Sequence, residues 1–208
     1  HVLWLGQFGA LRSALTRASM DPDLEVPNRA DLLLWERNPT DLLKLELAYP
    51  DVIEVQDLYL PSALYSAWAH QLLGDQPAAL KSFDSARVRL ESALITLADD
   101  WRVHAAYGMA LAGLGRRDEA LKEAHWIAQS VVYREDAFDR SLPAEDRARI
   151  LAQAGDAEAA LDEIERMLDG PSFLSAHTLR LDPRWDPLRA HPRFEAMLAK
   201  YSTAVVIG

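Results

Sequence analysis

The stretch HAAYGMALAGLGRRDEALKEAHWIA, residues 104–128, decides the fold class of this chain. Two segments rich in alanine flank Gly115, which is followed by the polar run Arg116-Arg117-Asp118. Helices often end at a glycine in the left-handed conformation, which costs other residues more free energy. The stretch therefore predicts a first helix, a turn at Gly115 and a second helix.

Two further stretches repeat this pattern. They read ALYSAWAHQLLGDQPAALKSFDSAR at residues 63–87 and AEDRARILAQAGDAEAALDEIERML at residues 144–168. Their turn glycines, Gly74 and Gly155, lie 41 and 40 residues from Gly115. Self-similarity at a fixed period of about 20–50 residues is typical of repeat architectures. The three stretches therefore predict three similar helix pairs.

Small side chains recur at matched positions when the three turn glycines are aligned. Helices that pack closely approach to about 8–10 Å, and small residues allow that approach. We expect the matched residues at the contact between the two helices of each pair. They are Ala67, Gly108 and Ala148, then Ala79, Ala120 and Ala160, and finally Ala86, Ile127 and Met167.

The three stretches resemble tetratricopeptide repeats (TPRs), whose unit is about 34 residues. The resemblance implies an all-α fold, a right-handed superhelix (α-solenoid) of antiparallel helix pairs closed by a C-terminal capping helix. The longer spacing in this chain places extra residues at 88–101 and 131–143, after a second helix in each case. We expect longer second helices or extended loops in those two places.

The whole chain, residues 1–208, is predicted to form a single domain of this kind. Its clearest repeats are 61–87, 102–128 and 142–168, a looser repeat covers 28–49, a partial unit covers 2–18, and the cap covers 179–201. In the looser repeat, Asn38-Pro39 stands in place of the turn glycine and its following residue.

The predicted cap reads LRLDPRWDPLRAHPRFEAMLAKY. Each X-Pro step pushes the preceding residue out of the helical region, and Pro192 suits the first turn of a last helix. The terminal unit of a solenoid must cover the exposed face of the last repeat. The apolar residues expected to cover that face and pack the closing helix are Trp185, Leu188, Phe194, Leu198 and Tyr201.

This cap, together with QDLYLPSALYSAWAHQLLGD and GLGRRDEAL, resembles the TPR arrays of bacterial multidomain regulators. In those proteins the array follows a serine/threonine kinase, a nucleotide cyclase or a winged-helix DNA-binding domain. The resemblance implies a role in cytoplasmic signalling. The chain begins at His1 rather than Met, so we expect it to be part of a longer protein.

The composition disfavours several other classes of protein. The chain has 32 acidic and 22 basic residues, a net charge of -10 that repels a phosphate backbone, so we expect no nucleic-acid partner. Cysteine is absent, which excludes disulfides, thiolate metal sites and cysteine nucleophiles. The apolar runs are shorter than the ~20 residues that a membrane helix needs, so we expect no membrane partner.

The sequence lacks the common catalytic and cofactor motifs. Gly6 and Gly9 are not followed by the rest of a phosphate-binding loop, and neither His-Glu-x-x-His nor Gly-x-Ser-x-Gly occurs. The histidines and aspartates of the cap suggest a metal site at first sight. However, Asp182 and Asp186 precede prolines, where aspartate commonly serves turns. We therefore expect no enzyme activity, no cofactor and no metal.

The resemblance also implies a binding groove, because TPR arrays present their first helices on a concave face where partners lie. In the register set by the turn glycines, Ala112 and Gln153 lie on this face. The predicted groove residues are Leu64, Trp68, Gln71, Arg102, Ala105, Met109, Glu145 and Arg149. Trp68 and Met109 are the expected anchors. A second interpretation is that these two side chains are simply buried against the next helix.

The predicted groove lacks one known recognition device. Chaperone-binding TPR domains hold the terminal carboxylates of a peptide with Lys, Asn and Arg at fixed groove positions. Here the corresponding positions are Leu64, Trp68, Ala105, Met109, Glu145 and Arg149. We therefore expect an apolar or basic protein segment as the partner, rather than a chaperone tail.

Three functions remain open at this point. The leading hypothesis is a non-catalytic interaction scaffold that regulates or localises a parent protein. A small-molecule sensor is favoured if the groove closes into a pocket of roughly several hundred Å³. A weak homodimer is the third possibility, with the apolar tail Val205-Val206-Ile207 docking on a second copy.

Overall fold

Helices carry most of the chain in this computed structural model, which describes residues 22–46, 51–135 and 141–202. The helices are α1 (Pro22–Trp35), α2 (Pro39–Glu46), α3 (Ser62–Leu73), α4 (Gln76–Leu94), α5 (Trp101–Gly113), α6 (Arg117–Gln129), α7 (Val131–Glu135), α8 (Ser141–Gln153), α9 (Ala157–Asp169), α10 (Ala176–Leu181) and α11 (Pro192–Ser202). The prediction of a mostly helical chain is confirmed. The predicted partial unit 2–18 and the tail 205–207 lie outside the described residues.

Three helix pairs occur where the repeats predict them. α3 packs on α4, α5 on α6, and α8 on α9. The turn glycines have the predicted left-handed conformation, with φ of 72° at Gly74, 74° at Gly115 and 82° at Gly155. Each turn leads at once into the second helix, and in two of the three an aspartate side chain caps that helix.

The matched small positions lie in the core. All nine are buried, from Ala67 in α3 to Met167 in α9. At Gly108 a methyl group would lie 2.6 Å from Cδ1 of Ile150, so α5 and α8 approach too closely for a side chain there. Each pair also packs on the next, because α4 contacts α5, and both α5 and α6 contact α8.

The extra residues between the pairs are partly helical where the structure describes them. α4 has 19 residues, whereas α6 and α9 have 13 each. α6 is instead followed by the short helix α7. The extra residues after the first pair therefore lengthen its second helix. Those after the second pair begin with a separate short helix, α7.

A β-hairpin precedes the first pair and is absent from the sequence prediction. Strand β1 (Val52–Val55) pairs antiparallel with β2 (Leu58–Pro61), with Ile53 opposite Leu60. β-branched residues favour strands, and the two-residue connection Gln56-Asp57 is the usual length for a hairpin. The hairpin packs its second strand on α5.

The C-terminal segment, predicted to be a cap, packs on the helices before it. A 3₁₀ helix (Pro183–Leu188) packs on α8, and α11 packs on α9 and α10. Pro192 is the first residue of α11, as predicted. Trp185, Leu188, Phe194 and Leu198 are buried, and Tyr201 is partly buried.

His104, at the start of α5, is held between two acceptors. Its Nδ1 lies 2.6 Å from a Glu123 carboxylate oxygen, and its Nε2 lies 2.8 Å from the Ala98 carbonyl oxygen. Because neither partner carries a proton to donate, both ring nitrogens donate only if the imidazole is charged. Burial is the largest single influence and lowers the pKa of His104. The bonds to Glu123 and Ala98, with the charges of Glu123 and Asp100, raise this pKa above its ordinary value of 6.5 overall.

We expect the free energy of unfolding to fall as the pH rises above 6.5. A group whose pKa is raised by folding stabilises the folded state fully below its unfolded pKa, and the contribution is lost as the pH rises through the folded pKa. Urea unfolding at a series of pH values measures this slope. His104→Gln should flatten the slope above pH 6.5. An unchanged slope in His104→Gln would rule out this origin.

Candidate functional site

Four predicted groove residues are covered by the rest of the chain. Leu64 is 0 % exposed, Ala105 1 %, Trp68 2 % and Met109 3 %. These side chains therefore offer no open surface to a partner in this conformation. The structure corrects the expectation of an open groove and agrees with the second interpretation, in which Trp68 and Met109 belong to the core.

The β-hairpin covers one part of this face through Arg102. The Arg102 guanidinium donates a 2.6 Å hydrogen bond to the Val55 carbonyl and a 3.3 Å bond to that of Gln56, in the hairpin turn. It is also paired with Asp100 at 2.6 Å. Arg102 is thus a predicted groove residue that binds a segment of its own chain.

The C-terminal segment covers the other part. Arg184, in the 3₁₀ helix, is 6 % exposed, and its guanidinium carbon lies 5.2 Å from the centroid of the Trp68 ring. Trp185 is fully buried, and the Arg149 guanidinium lies 5.7 Å from its ring. Cations over aromatic faces are attracted by the ring quadrupole. The 3₁₀ helix therefore occupies the position that the groove prediction gives to a partner.

Ion pairs connect this segment to α1 and α8. Arg184 Nη2 lies 2.7 Å from Asp182 and 3.1 Å from Asp31. Arg149 lies 2.5 Å from Glu145, 2.9 Å from Asp146 and 3.4 Å from Asp182. We call this group the charged cluster; its members are Asp31, Glu145, Asp146, Arg149, Asp182 and Arg184.

Carboxylates outnumber guanidiniums in the charged cluster, and burial makes the excess costly. Burial raises the pKa of both Glu145 and Asp146, although Arg149 opposes the rise. Burial also acts to raise the pKa of Asp182, but Arg184 and Arg149 outweigh it and lower that pKa. Asp182 is therefore the carboxylate that stays charged most firmly.

A cavity of about 280 Å³ lies beside the charged cluster. The first helices contribute Trp68 and Gln71 from α3, Ala112 from α5 and Gln153 from α8, and the 3₁₀ helix closes the wall with Arg184. Gln71, Ala112 and Gln153 each lie two or three residues before a turn glycine. The structure thus brings together residues from three successive first helices, each close to the turn glycine of its pair.

Three buried polar atoms of this wall have no hydrogen-bond partner among the described residues. They are the indole nitrogen of Trp68, the side-chain oxygen of Gln153 and Nη2 of Arg184, which lies at ion-pair distance from Asp182. Buried polar groups in proteins are nearly always paired with protein or water, so such atoms call for an explanation. Gln71, in contrast, is exposed and lies at the mouth of the cavity.

A smaller cavity of about 60 Å³ shares the walls formed by Trp68 and Arg184. Tyr65, Asp31 and Arg149 also line it. The Tyr65 hydroxyl lies 3.3 Å from Asp31 as its donor, and burial, followed by the Asp31 charge, raises the pKa of this phenol well above its ordinary range. Tyr65 therefore stays protonated and offers a donor.

Sequence reasoning missed Arg184 and Asp31 as residues of this site. The available signal was Arg184 between two Asp-Pro steps and beside Trp185, in a segment already predicted to be buried. Asp182 has the predicted turn role, since its side chain accepts a 2.9 Å bond from the Arg184 main-chain nitrogen. Asp182 also forms ion pairs with Arg184 and Arg149.

No family profile, curated protein or solved structure matches this chain. Within residues 22–46, 51–135 and 141–202, no group of three or more His, Asp or Glu side chains is placed to hold a metal ion. Among the same residues, no helix combines the length and apolarity needed to cross a membrane. Function is therefore inferred from the cavity and its wall.

Proposed function

We propose that this chain is a non-catalytic binding module, a TPR-like superhelix of helix pairs that regulates or localises a larger parent protein by holding a protein segment. The observation that carries the proposal is the shared cavity, because Gln71, Ala112 and Gln153 come from three successive first helices. The resemblance to TPR arrays implies that partners bind on the face those helices form. We also propose that the helix pairs are arranged as in a TPR array. The left-handed turn glycines and the packing of each pair on the next support this arrangement.

The partner segment engages this module differently from a long peptide lying in an open groove. Leu64, Ala105 and Met109 are buried, and β2 of the hairpin packs on α3 and α5, the helices that carry them. The cavity then accepts one inserted side chain, with Gln71 contacting the segment at the mouth. Such an anchor in a pocket is how small areas of contact gain most of their binding free energy.

A small-molecule sensor is the second candidate function. The cavity volume of about 280 Å³ is near the lower end of ligand pockets, which span about 300–1,000 Å³. The unpartnered atoms of Trp68 and Gln153 give such a ligand polar groups to meet. This candidate uses the same cavity and differs only in its occupant.

Gln71→Arg is expected to abolish partner binding, because a bulky cation at the mouth blocks entry without disturbing a buried contact. Gln129→Arg, at an exposed position near the end of α6, is the matched control. The measurement is affinity capture from lysate of the source cells with both variants and the unaltered chain, quantified by mass spectrometry. Proteins retained by the chain and the control should be missing with Gln71→Arg.

The unaltered chain, Gln71→Arg and Gln129→Arg also test the sensor function. After purification and denaturation, a small molecule released in a 1:1 ratio from the chain and the control, but not from Gln71→Arg, would favour the sensor. If neither a captured protein nor a released molecule depends on Gln71, the cavity is not the binding site and the proposed function fails.

A further inference from the structure

We infer that the cavity takes a neutral carboxamide group attached to a short apolar chain, an inference that rests on the proposed binding function. The unpartnered atoms determine the chemistry. Trp68 offers an N–H that can only donate, and it is 2 % exposed. Its partner in a ligand must therefore carry an acceptor.

Gln153 requires the complementary group. Its side-chain oxygen accepts hydrogen bonds, so the same ligand must also donate. A carboxamide presents a carbonyl oxygen and an N–H₂ group on one carbon. It therefore carries both the acceptor that the indole of α3 requires and the donor that the Gln153 oxygen of α8 requires.

The charges of the wall disfavour an ionic ligand. Arg184 Nη2 lies 2.7 Å from Asp182 and 3.1 Å from Asp31, which balance its charge; it makes no hydrogen bond to the residues that the structure describes and is a second donor that a carbonyl oxygen of the ligand can accept from. Asp186, the acidic residue of this wall, lies 2.6 Å from Arg37 and 2.5 Å from Arg189. A ligand charge would be desolvated without a free counter-charge, which is costly in a buried site.

Each ionic alternative also meets a specific obstacle. A carboxylate would lie beside the charged cluster, in which carboxylates are in excess. An ammonium group has only donors, so it leaves the Trp68 indole without an acceptor and lies against the Arg184 guanidinium. A neutral group that both donates and accepts avoids both problems.

The rest of the wall suits a short hydrocarbon chain. Leu72, Ala112, Pro183 and Pro187 line the cavity with apolar atoms. Two sources supply a carboxamide on such a chain: a small free amide, or the side chain of Gln or Asn in a partner protein. The chemistry is the same in both, and the experiment separates them.

Three probes of nearly equal size test whether the cavity prefers a neutral carboxamide to an ion: propionamide, propionate and propylammonium. The readout is the indole ¹H–¹⁵N signal of Trp68 in the intact chain, assigned by its loss in Trp68→Phe. Propionamide should shift this signal saturably, and the two ions should bind at least tenfold more weakly. Gln153→Leu should weaken propionamide about tenfold, the loss expected for one buried hydrogen bond, whereas Gln129→Leu, at an exposed site on α6, should not.

The tripeptides acetyl-Ala-Gln-Ala-N-methylamide and acetyl-Ala-Glu-Ala-N-methylamide, which share the same main chain and have no primary carboxamide at the C-terminus, separate the two sources. A shift by the Gln peptide alone assigns the group to a protein side chain. A response to propionamide with no response to either peptide assigns it to a free small amide.

Two results overturn the inference. If propionate or propylammonium binds as tightly as propionamide, the cavity binds ligands but the neutral class is wrong. If no probe shifts the Trp68 signal, water alone satisfies the wall and the carboxamide inference fails. The Gln71→Arg capture experiment then decides separately whether the proposed function survives.

Discussion

Arg184→Ala is expected to lower the free energy of unfolding by about 3–5 kcal/mol, the usual cost of removing one partner from a buried ion pair. The guanidinium contacts both oxygens of Asp182 through Nε at 2.8 Å, and it reaches Asp31 in α1. The Asp182 side chain is 2 % exposed. Without Arg184, its carboxylate keeps, among the residues that the structure describes, only the more distant Arg149 at 3.4 Å as a cationic partner.

Urea unfolding monitored by circular dichroism measures this loss. Arg180→Ala is the control, because Arg180 is exposed in α10 and makes a single 3.3 Å bond to the Leu198 carbonyl. Surface substitutions of this kind change stability by about 0.5 kcal/mol or less. A loss below about 1 kcal/mol for Arg184→Ala would show that the charged cluster is not a buried ion-pair network, since such networks lose far more on breaking.

A double substitution distinguishes an unpaired charge from a lost contact. Arg184→Met with Asp182→Asn removes both charges, keeps an apolar side chain over Trp68 and retains an acceptor for the main chain. Replacing a whole buried pair is often close to neutral, so this variant should recover more than half of the stability lost in Arg184→Ala. Recovery of little or none would mean that the guanidinium contact with Trp68, rather than the ion pair, carries the stability.

The repeat pattern made the three helix pairs predictable, because the deciding features are local. A left-handed turn favours glycine, and a close helix crossing needs a small residue, so Gly74, Gly115 and Gly155 could be aligned with the small positions. The same register assigned Gln71, Ala112 and Gln153 to one face, and these three residues line one cavity in the structure. These relations repeat along the chain, and repetition is what a single sequence displays well.

The covering of that face could not be predicted, because it depends on contacts between distant segments. Arg37 and Asp186, which join α1 to the 3₁₀ helix at 2.6 Å, are 149 residues apart. The hairpin has no Asn-Gly or Asp-Gly signal at its turn, since Gln56-Asp57 connects the strands. The groove prediction therefore missed that Leu64, Trp68, Ala105 and Met109 are buried in the folded chain.

Trp185→Ala is expected to lower the free energy of unfolding by about 3–5 kcal/mol, the range for removing a large buried aromatic side chain. Trp185 is a residue of the 3₁₀ helix and is 0 % exposed, and the guanidinium of Arg149 in α8 lies over its ring. Its removal leaves a void that costs transfer free energy and also takes the ring away from the Arg149 guanidinium. Thermal unfolding followed by circular dichroism measures the loss, with Phe173→Ala as the control because Phe173 is 51 % exposed.

Trp185→Phe separates the contribution of the ring from that of the indole N–H. The indole nitrogen is buried and has no hydrogen-bond partner among the described residues, so its loss leaves no acceptor unsatisfied. Phenylalanine keeps an aromatic face toward Arg149 and should cost only about 1–2 kcal/mol, well below the loss on full truncation. If Trp185→Phe and Trp185→Ala lower the free energy of unfolding equally, the indole N–H has a partner that this structure does not place. If neither is damaging, the C-terminal segment does not close the last repeat, and the cap must be assigned elsewhere.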